Sequence, residues 1–232
     1  MEHRNRRGVA LVEFSFSLLV LVPLTLGTIG IGLNLTEHLQ TVQLARDAGY
    51  MYARQVDFGA AANQTVLLRL GADLGLSTNA ATSNAVLILS TVKYVDSAMC
   101  KSDNKWNNTT NQPNGCTNYL KWVFSQRIVI GNPSVRSSAA GSPITTGGSP
   151  VHLDSGGNVS LDEQVTKSGD VAVSKAVSGV ERFEGISPYQ SLNGNVSGLP
   201  SGQVVYVAEA AGKGFNMPPF AVHPVMYSRN LF

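Results

Sequence analysis

No charged residue lies between Glu13 and Glu37, and the 23 positions separating them constrain the chain more than any other stretch. A helix needs roughly 20 predominantly apolar residues to cross a bilayer, so this run is long enough to span one. Thirteen of the residues from Phe14 to Leu35 are Leu, Ile, Val or Phe. Each contributes about −0.3 to −0.6 kcal/mol near the membrane centre, and together about −4 to −8 kcal/mol, which outweighs the polar Thr25, Thr28 and Asn34. Arg4, Arg6 and Arg7 precede the run, whereas Glu37 and His38 come after it. The positive-inside bias then predicts a cytoplasmic N-terminus and export of the chain beyond the run.

At the head of the run stands a carboxylate, Glu13. At mid-bilayer it would cost about 2.5 to 3.5 kcal/mol. Its place at the cytoplasmic edge admits two readings: an interfacial acid that marks where the helix enters, or a functional charge. The surrounding segment reads R-R-G-V-A-L-V-E-F, from Arg6 and Arg7 through Gly8 and Val9 to Glu13 and Phe14. This pattern resembles the processing site of type IV pilins and pseudopilins, and more closely that of the TadE/TadF-like minor pseudopilins of the tight-adherence (Tad/Flp) pilus. The resemblance covers residues 4–58 well, including the Ala/Arg-containing segment VQLARDAGYMYAR at 42–54. It implies cleavage by a prepilin peptidase between Gly8 and Val9, with Glu13 as the fifth residue of the mature chain. It also implies a non-enzymatic assembly subunit whose partners are other pilins and pseudopilins, the pilus assembly platform and the bacterial inner membrane. Pro23 removes a backbone hydrogen bond inside the apolar helix and tends to kink it; pilins often carry a proline in this region, which the resemblance makes an assembly feature beside Glu13.

Length sets the organisation of the rest. Of 232 residues, a leader at 1–8 and a helix at 9–58, with its transmembrane part at about 14–35, leave 59–232 for one exported α+β domain. Charged residues are 14% of the chain, against a usual value of about 25%, so the surface is polar through hydroxyls and amides. The net charge of +2 owes much to the leader, and the remaining sequence has no basic cluster interleaved with aromatics. Nucleic-acid binding therefore has little support. Cys100 and Cys116 are the chain's two cysteines. In an exported domain they are expected to form one disulfide, closing a loop worth about 3 kcal/mol in the chain-entropy model. The four histidines are scattered without ligand spacing, so neither a metal nor a cofactor is expected.

Beyond the membrane, Leu35, Leu39, Val42, Ala45, Gly49, Tyr52 and Val56 recur at spacings of three and four and predict continuation of the helix to Asp57. Ala45 and Gly49 leave a shallow place for another element to approach. Residues 61–76 read as a shorter helix interrupted by Gly71. Residues 86–95 and 121–130 read as a hairpin, with the cysteines bracketing its Asn-rich connection and Trp106 near the exposed tip, folded back on the loop. From Gly131 to Asp170, 18 of 40 residues are Gly, Ser or Pro, a bias expected of loop. Residues 171–177 and 203–209 alternate as strands. Prolines at 218, 219 and 224 predict an extended C-terminal segment along a sheet edge. The expected fold is thus α+β and pilin-like, a long N-terminal helix on a small antiparallel sheet with long Gly/Ser-rich loops.

Catalytic signatures are sparse. Ser90-x-x-Lys93 and Ser102-x-x-Lys105 match a serine–lysine spacing but lack companion motifs, and no catalytic residue is assigned. Two other readings compete with the pilin-like one. In the first, the chain is a secreted adhesin or hydrolase whose signal is cut near Gly30-x-Gly32. In the second, it is an envelope protein that keeps its leader as an anchor.

Overall fold

The computed structural model describes residues 6–141, 151–167, 204–216, 218 and 224–232, with side chains from Ala10 onward. Its first element, α1, is an uninterrupted helix from Arg6 to Ala53 that contains Pro23. Its 48 residues rise about 72 Å at 1.5 Å per residue. Only 6% of its most apolar window is covered by the rest of the described chain. An apolar helix in the core of a domain would be covered. From Ala10 on, the first half of α1 is instead long and apolar enough to cross a membrane, with most of its side chains bare.

The second half packs on an antiparallel sheet. Strands β1 (Ala85–Tyr94), β4 (Trp122–Gly131), β5 (Val204–Lys213) and β6 (Val225–Leu231) lie in the order β4-β1-β5-β6. The predicted hairpin is there, β1 pairing antiparallel with β4, and the strand predicted at 203–209 is β5. The C-terminal segment pairs with β5 at the sheet edge. The strand expected at 171–177 lies outside the described residues. A bulge at Ser125 shifts the β1–β4 register, so that Thr91 faces Gln126 while Val92 faces Phe124.

Small residues let helix and sheet approach. Ala45 and Ala48 on α1 and Ala208 and Ala210 on β5 are all buried in one layer with Leu44, Leu87, Leu89, Ile128 and Ile130. A short helix, α2 (Ala61–Leu70), and a 3-10 turn at Ala72–Leu74 contribute Leu67 and Leu74 to the same layer; the expected break at Gly71 separates them. Gly49 marks the closest approach, because a Cβ there would fall inside the ring of Phe232.

The helix face agrees with the expected one at Ala45, Gly49 and Tyr52 and differs from it at the membrane end. Thr41, Leu44, Ala45, Ala48 and Tyr52 are buried, whereas Leu35 and Leu39 are 58% and 54% exposed. Leu35 and Leu39 continue the bare apolar stripe, and the face toward the sheet is set mainly by small residues, with Leu44 and Tyr52 beside them. The helix also stops at Ala53, short of Asp57. Gln55 adopts φ 65°, and the amides of Val56 and Gln55 bond the carbonyls of Met51 (3.2 Å) and Tyr52 (2.9 Å). That is a Schellman ending with glutamine in the left-handed position glycine usually takes.

Two loop expectations also change. Within the region expected to be loop, residues 161–166 form a helix, α4 (Leu161–Thr166), capped at Ser160. The connection between the cysteines is built rather than loose: after α3 (Ser97–Ser102), strands β2 (Trp106–Asn107) and β3 (Gln112–Pro113) pair in a small ribbon. Trp106 is half-buried at its base, its ring 5.2 Å from that of Tyr119 and with Lys101 Nζ 5.5 Å above it. The tip falls instead at residues 108–111. Cys100 and Cys116 form the expected disulfide, with Cα atoms 5.8 Å apart.

Replacing Gly49 by Ala should destabilise the domain by about 1–3 kcal/mol through overpacking against Phe232. The double variant with Phe232→Leu should recover part of that loss. Denaturant unfolding of the two proteins in detergent checks both.

Candidate functional site

Three places carry polar or charged groups in arrangements that packing alone does not demand. The first is the head of α1. Gly8 and Val9 lie within the helix, Phe14 is 63% exposed, and the Glu13 side chain is exposed. Ser17 Oγ donates to the main-chain carbonyl of Glu13 at 3.0 Å, and Pro23 is half-exposed ten residues further on. These residues share one continuous helix rather than a pocket.

The second is an open cleft of about 690 Å³ at the far end of the sheet, where α1 terminates. Tyr52, Thr91, Lys93, Gln126, Asn158 and Tyr206 are among its lining residues. Odd-numbered positions of β1 face α1, because side chains alternate along a strand. Thr91 therefore meets Tyr52, whose hydroxyl lies 2.6 Å from Thr91 Oγ1 and donates to Gln126 Oε1 at 2.7 Å. Gln126 in turn donates to the carbonyl of Gly156 at 2.9 Å. Gln126 alternates with Ile128 and Ile130 on the helix side, and the bulge at Ser125 sends Phe124 to the opposite face, leaving this end of the helix side polar. Burial pushes the Tyr52 phenol up to about 12, with the bond to Thr91 opposing. A turn at 154–158 completes the wall: Asp154 Oδ1 accepts from the amides of Asn158 (2.8 Å) and Gly156 (2.9 Å). Those bonds, that from the Asn158 backbone foremost, hold the Asp154 carboxyl below its ordinary range. The cleft offers an ammonium (Lys93), a carboxylate (Asp57), amides and hydroxyls, a lining suited to hydrogen-bonding a polar group.

The third lies on the opposite face of the sheet. Glu209 is 1% exposed and Arg127 7%, although each sits amid apolar strand residues. Glu209 Oε1 accepts from the amide of Ala139 at 2.7 Å and from Tyr227 Oη at 2.5 Å, and Oε2 accepts from Ser138 Oγ. Arg127 donates from Nε to Ser90 Oγ (2.9 Å), from Nη1 to the carbonyl of Gly141 (2.7 Å) and from Nη2 to Ser138 Oγ (3.3 Å). Burial pulls the guanidinium down to about 10 against the opposing attraction of Glu209. Burial also raises the Tyr227 phenol, and the Glu209 charge adds to it. This network clamps segment 132–141 over the sheet. Sequence reading missed it, although an acid and an arginine inside apolar strand patterns were a visible signal.

The serine–lysine spacings do not become sites. Ser90 belongs to the face carrying Arg127, while Lys93 lines the cleft on the other face. Ser102 Oγ donates to the carbonyl of Met99 at 2.8 Å, and Lys105 Nζ reaches Asp162 at 4.0 Å. Among the described residues, no three His, Cys, Asp or Glu side chains come together in a way that could hold a metal ion. No family model, curated protein or solved structure matches the chain.

Tyr52→Phe should cost about 1–3 kcal/mol at neutral pH, because Thr91 and Gln126 lose a buried partner. The raised phenol has a second consequence. Its folded-state value lies above the unfolded value of 10, so its contribution is complete below pH 10 and is lost as pH climbs through about 12. The variant should therefore lose less stability than the parent between those values, as measured by denaturant unfolding at each pH. Glu209→Ala, which strips three donors of their acceptor, should cost about 3–5 kcal/mol by the same measurement.

Proposed function

We propose that this protein is a minor pseudopilin of the TadE/TadF-like kind, an assembly subunit of a tight-adherence pilus. The observation that carries the reading is the R-R-G-V-A-L-V-E-F segment at the head of a solitary apolar helix that the rest of the described chain leaves bare. In this reading a prepilin peptidase of the inner membrane removes residues 1–8. The N-terminus is cytoplasmic, and the domain is periplasmic or extracellular, where the Cys100–Cys116 disulfide suits an oxidising compartment. A long helix on a four-stranded antiparallel sheet agrees with the pilin-like fold that the resemblance implies.

The mechanism rests on lateral association of helices. The bilayer holds the apolar half of α1 in one plane with its neighbours. Cleavage after Gly8 creates a new amine at Val9, about one helical turn from Glu13. An exposed Glu13 then pairs with such an amine on its own or a neighbouring subunit, and that pairing fixes axial register as subunits leave the membrane. Removing one partner of a buried charge pair costs about 3–5 kcal/mol, enough to select one register. The other pilins and the assembly platform are the partners this mechanism needs.

The mass of the mature N-terminus is the decisive measurement. A start at Val9 is expected, whereas a start near Leu33 would indicate a cleaved secretory signal and one at Met1 a retained anchor. Glu13→Ala should leave membrane insertion intact and reduce incorporation into sheared pili. Normal incorporation would sink the register role.

A further inference from the structure

We infer that the base of the sheet domain is itself a lipid contact, with the Phe215 side chain seated at the bilayer interface. The inference rests on the reading of α1 as a membrane span and adds a second point of attachment to it.

Contacts along α1 give the domain a direction. At one end Asn34 lies beneath Gly214, where an added Cβ would meet its Oδ1 at 2.7 Å. Further along, Gly212 lies over Thr41, and at the other end Gly49 meets Phe232. The end of β5 and the start of β6 thus mark the domain's end nearest the apolar half of α1, and the Tyr52 cleft is its opposite end. Phe215 follows β5 by two residues. Its amide donates to Glu37 Oε2 at 2.8 Å, and its side chain is 40% exposed.

Helix rise places this contact in depth. The charge-free run from Phe14 to Thr36 climbs about 34 Å at 1.5 Å per residue, slightly more than the roughly 30 Å of hydrocarbon in a bilayer. With Glu13 at one boundary, Glu37 falls at the other. The carboxylate that ends the run is therefore the one that tethers Phe215. Leu35 and Leu39, both exposed, share the helix face away from Glu37, so the lipid-facing stripe reaches the same height on that side. An aromatic ring held there by its backbone meets the interface without the domain having to move. A phenylalanine ring carries a large apolar area, and Phe is among the residues that interfacial segments bury at the headgroup boundary.

Site-directed spin labelling of the full chain tests this cleanly, because both cysteines are consumed by the disulfide. A nitroxide is placed on Phe215→Cys, on Leu24→Cys as a reporter of the span, and on Asn111→Cys at the loop tip as a reporter of water. Each protein is reconstituted in phosphatidylethanolamine/phosphatidylglycerol vesicles. The readout is the ratio of collisions with oxygen to collisions with a water-soluble nickel chelate. The expected result is a ratio at position 215 several-fold above that at 111 and below that at 24. A ratio at 215 equal to that at 111, with the label at 24 in lipid, overturns the lipid contact and leaves the span standing. A label at 24 that meets the chelate freely overturns both.

Discussion

The close packing of α1 on β5 and β6 is the contact on which the remaining structure depends. A helix can lie this near a sheet only where side chains on both surfaces are short, and here Ala45, Ala48 and Gly49 meet Ala208, Ala210 and the Phe232 ring. The arrangement removes much of the usual tolerance for sliding. A shift of α1 by one residue would rotate the small stripe by about 100° and bring larger neighbours, Arg46 or Asp47 among them, against the strands. Helix and domain are consequently locked in axial register. Any force transmitted along the apolar half of α1 arrives at the sheet directly.

The opposite face of the sheet solves a different problem. Segment 132–141 contributes few apolar side chains, with Val135 and Ala140 buried against the strands. Hydrophobic burial alone would hold so polar a strip weakly. Arg127 and Glu209 supply direction instead, their hydrogen bonds converging on Ser138, Ala139 and Gly141. Ser138 stands between the two charges, accepting from one and donating to the other, so the pair is bridged rather than in direct contact. Buried charges stabilise poorly compared with well-packed hydrocarbon, but they penalise alternative arrangements heavily. In a chain with little else to specify where this strip lies, that penalty is what gives it one position.

Much of this was legible in advance, for identifiable reasons. The apolar run, the β1–β4 hairpin, β5 and the break at Gly71 all derive from periodicity and turn chemistry, which are local properties of the chain. The disulfide was implied by an even cysteine count. What escaped was decided elsewhere. Leu35 and Leu39 fit the helical spacing of a buried stripe, but the sheet packs on the other side of α1, a fact no local pattern contains. The ending at Ala53 depends on Gln55 accepting a left-handed backbone, which sequence preferences argue against. Helix α4 carried a legible capping sequence, Ser160-Leu-Asp-Glu163, that the surrounding Gly and Ser obscured. Glu163 does not complete that box; its carboxylate binds His152 through the backbone amide at 3.0 Å and the ring Nδ1 at 2.9 Å. The cleft was invisible for a related reason, since Tyr52, Gln126 and Asn158 converge only through the packing of α1 on the sheet and a distant turn.

On the pseudopilin reading, these features assign different tasks to the two ends of the domain. The end at Glu37 and Phe215 faces the bilayer, so its chemistry is that of a boundary between lipid and water. The end at Tyr52 lies 15 residues further along α1, about 22 Å away, and points into the aqueous compartment. A polar cleft can serve as a recognition surface only at that end, because at the other it would have to be stripped of water against the membrane at several kcal/mol per unpaired group. The rigid register between α1 and the sheet makes the separation permanent. Lateral association of the apolar helices would therefore hold every cleft at a fixed axial offset from its neighbour's, presenting Asp57, Lys93, Gln126 and Asn158 as a repeated series rather than as isolated sites.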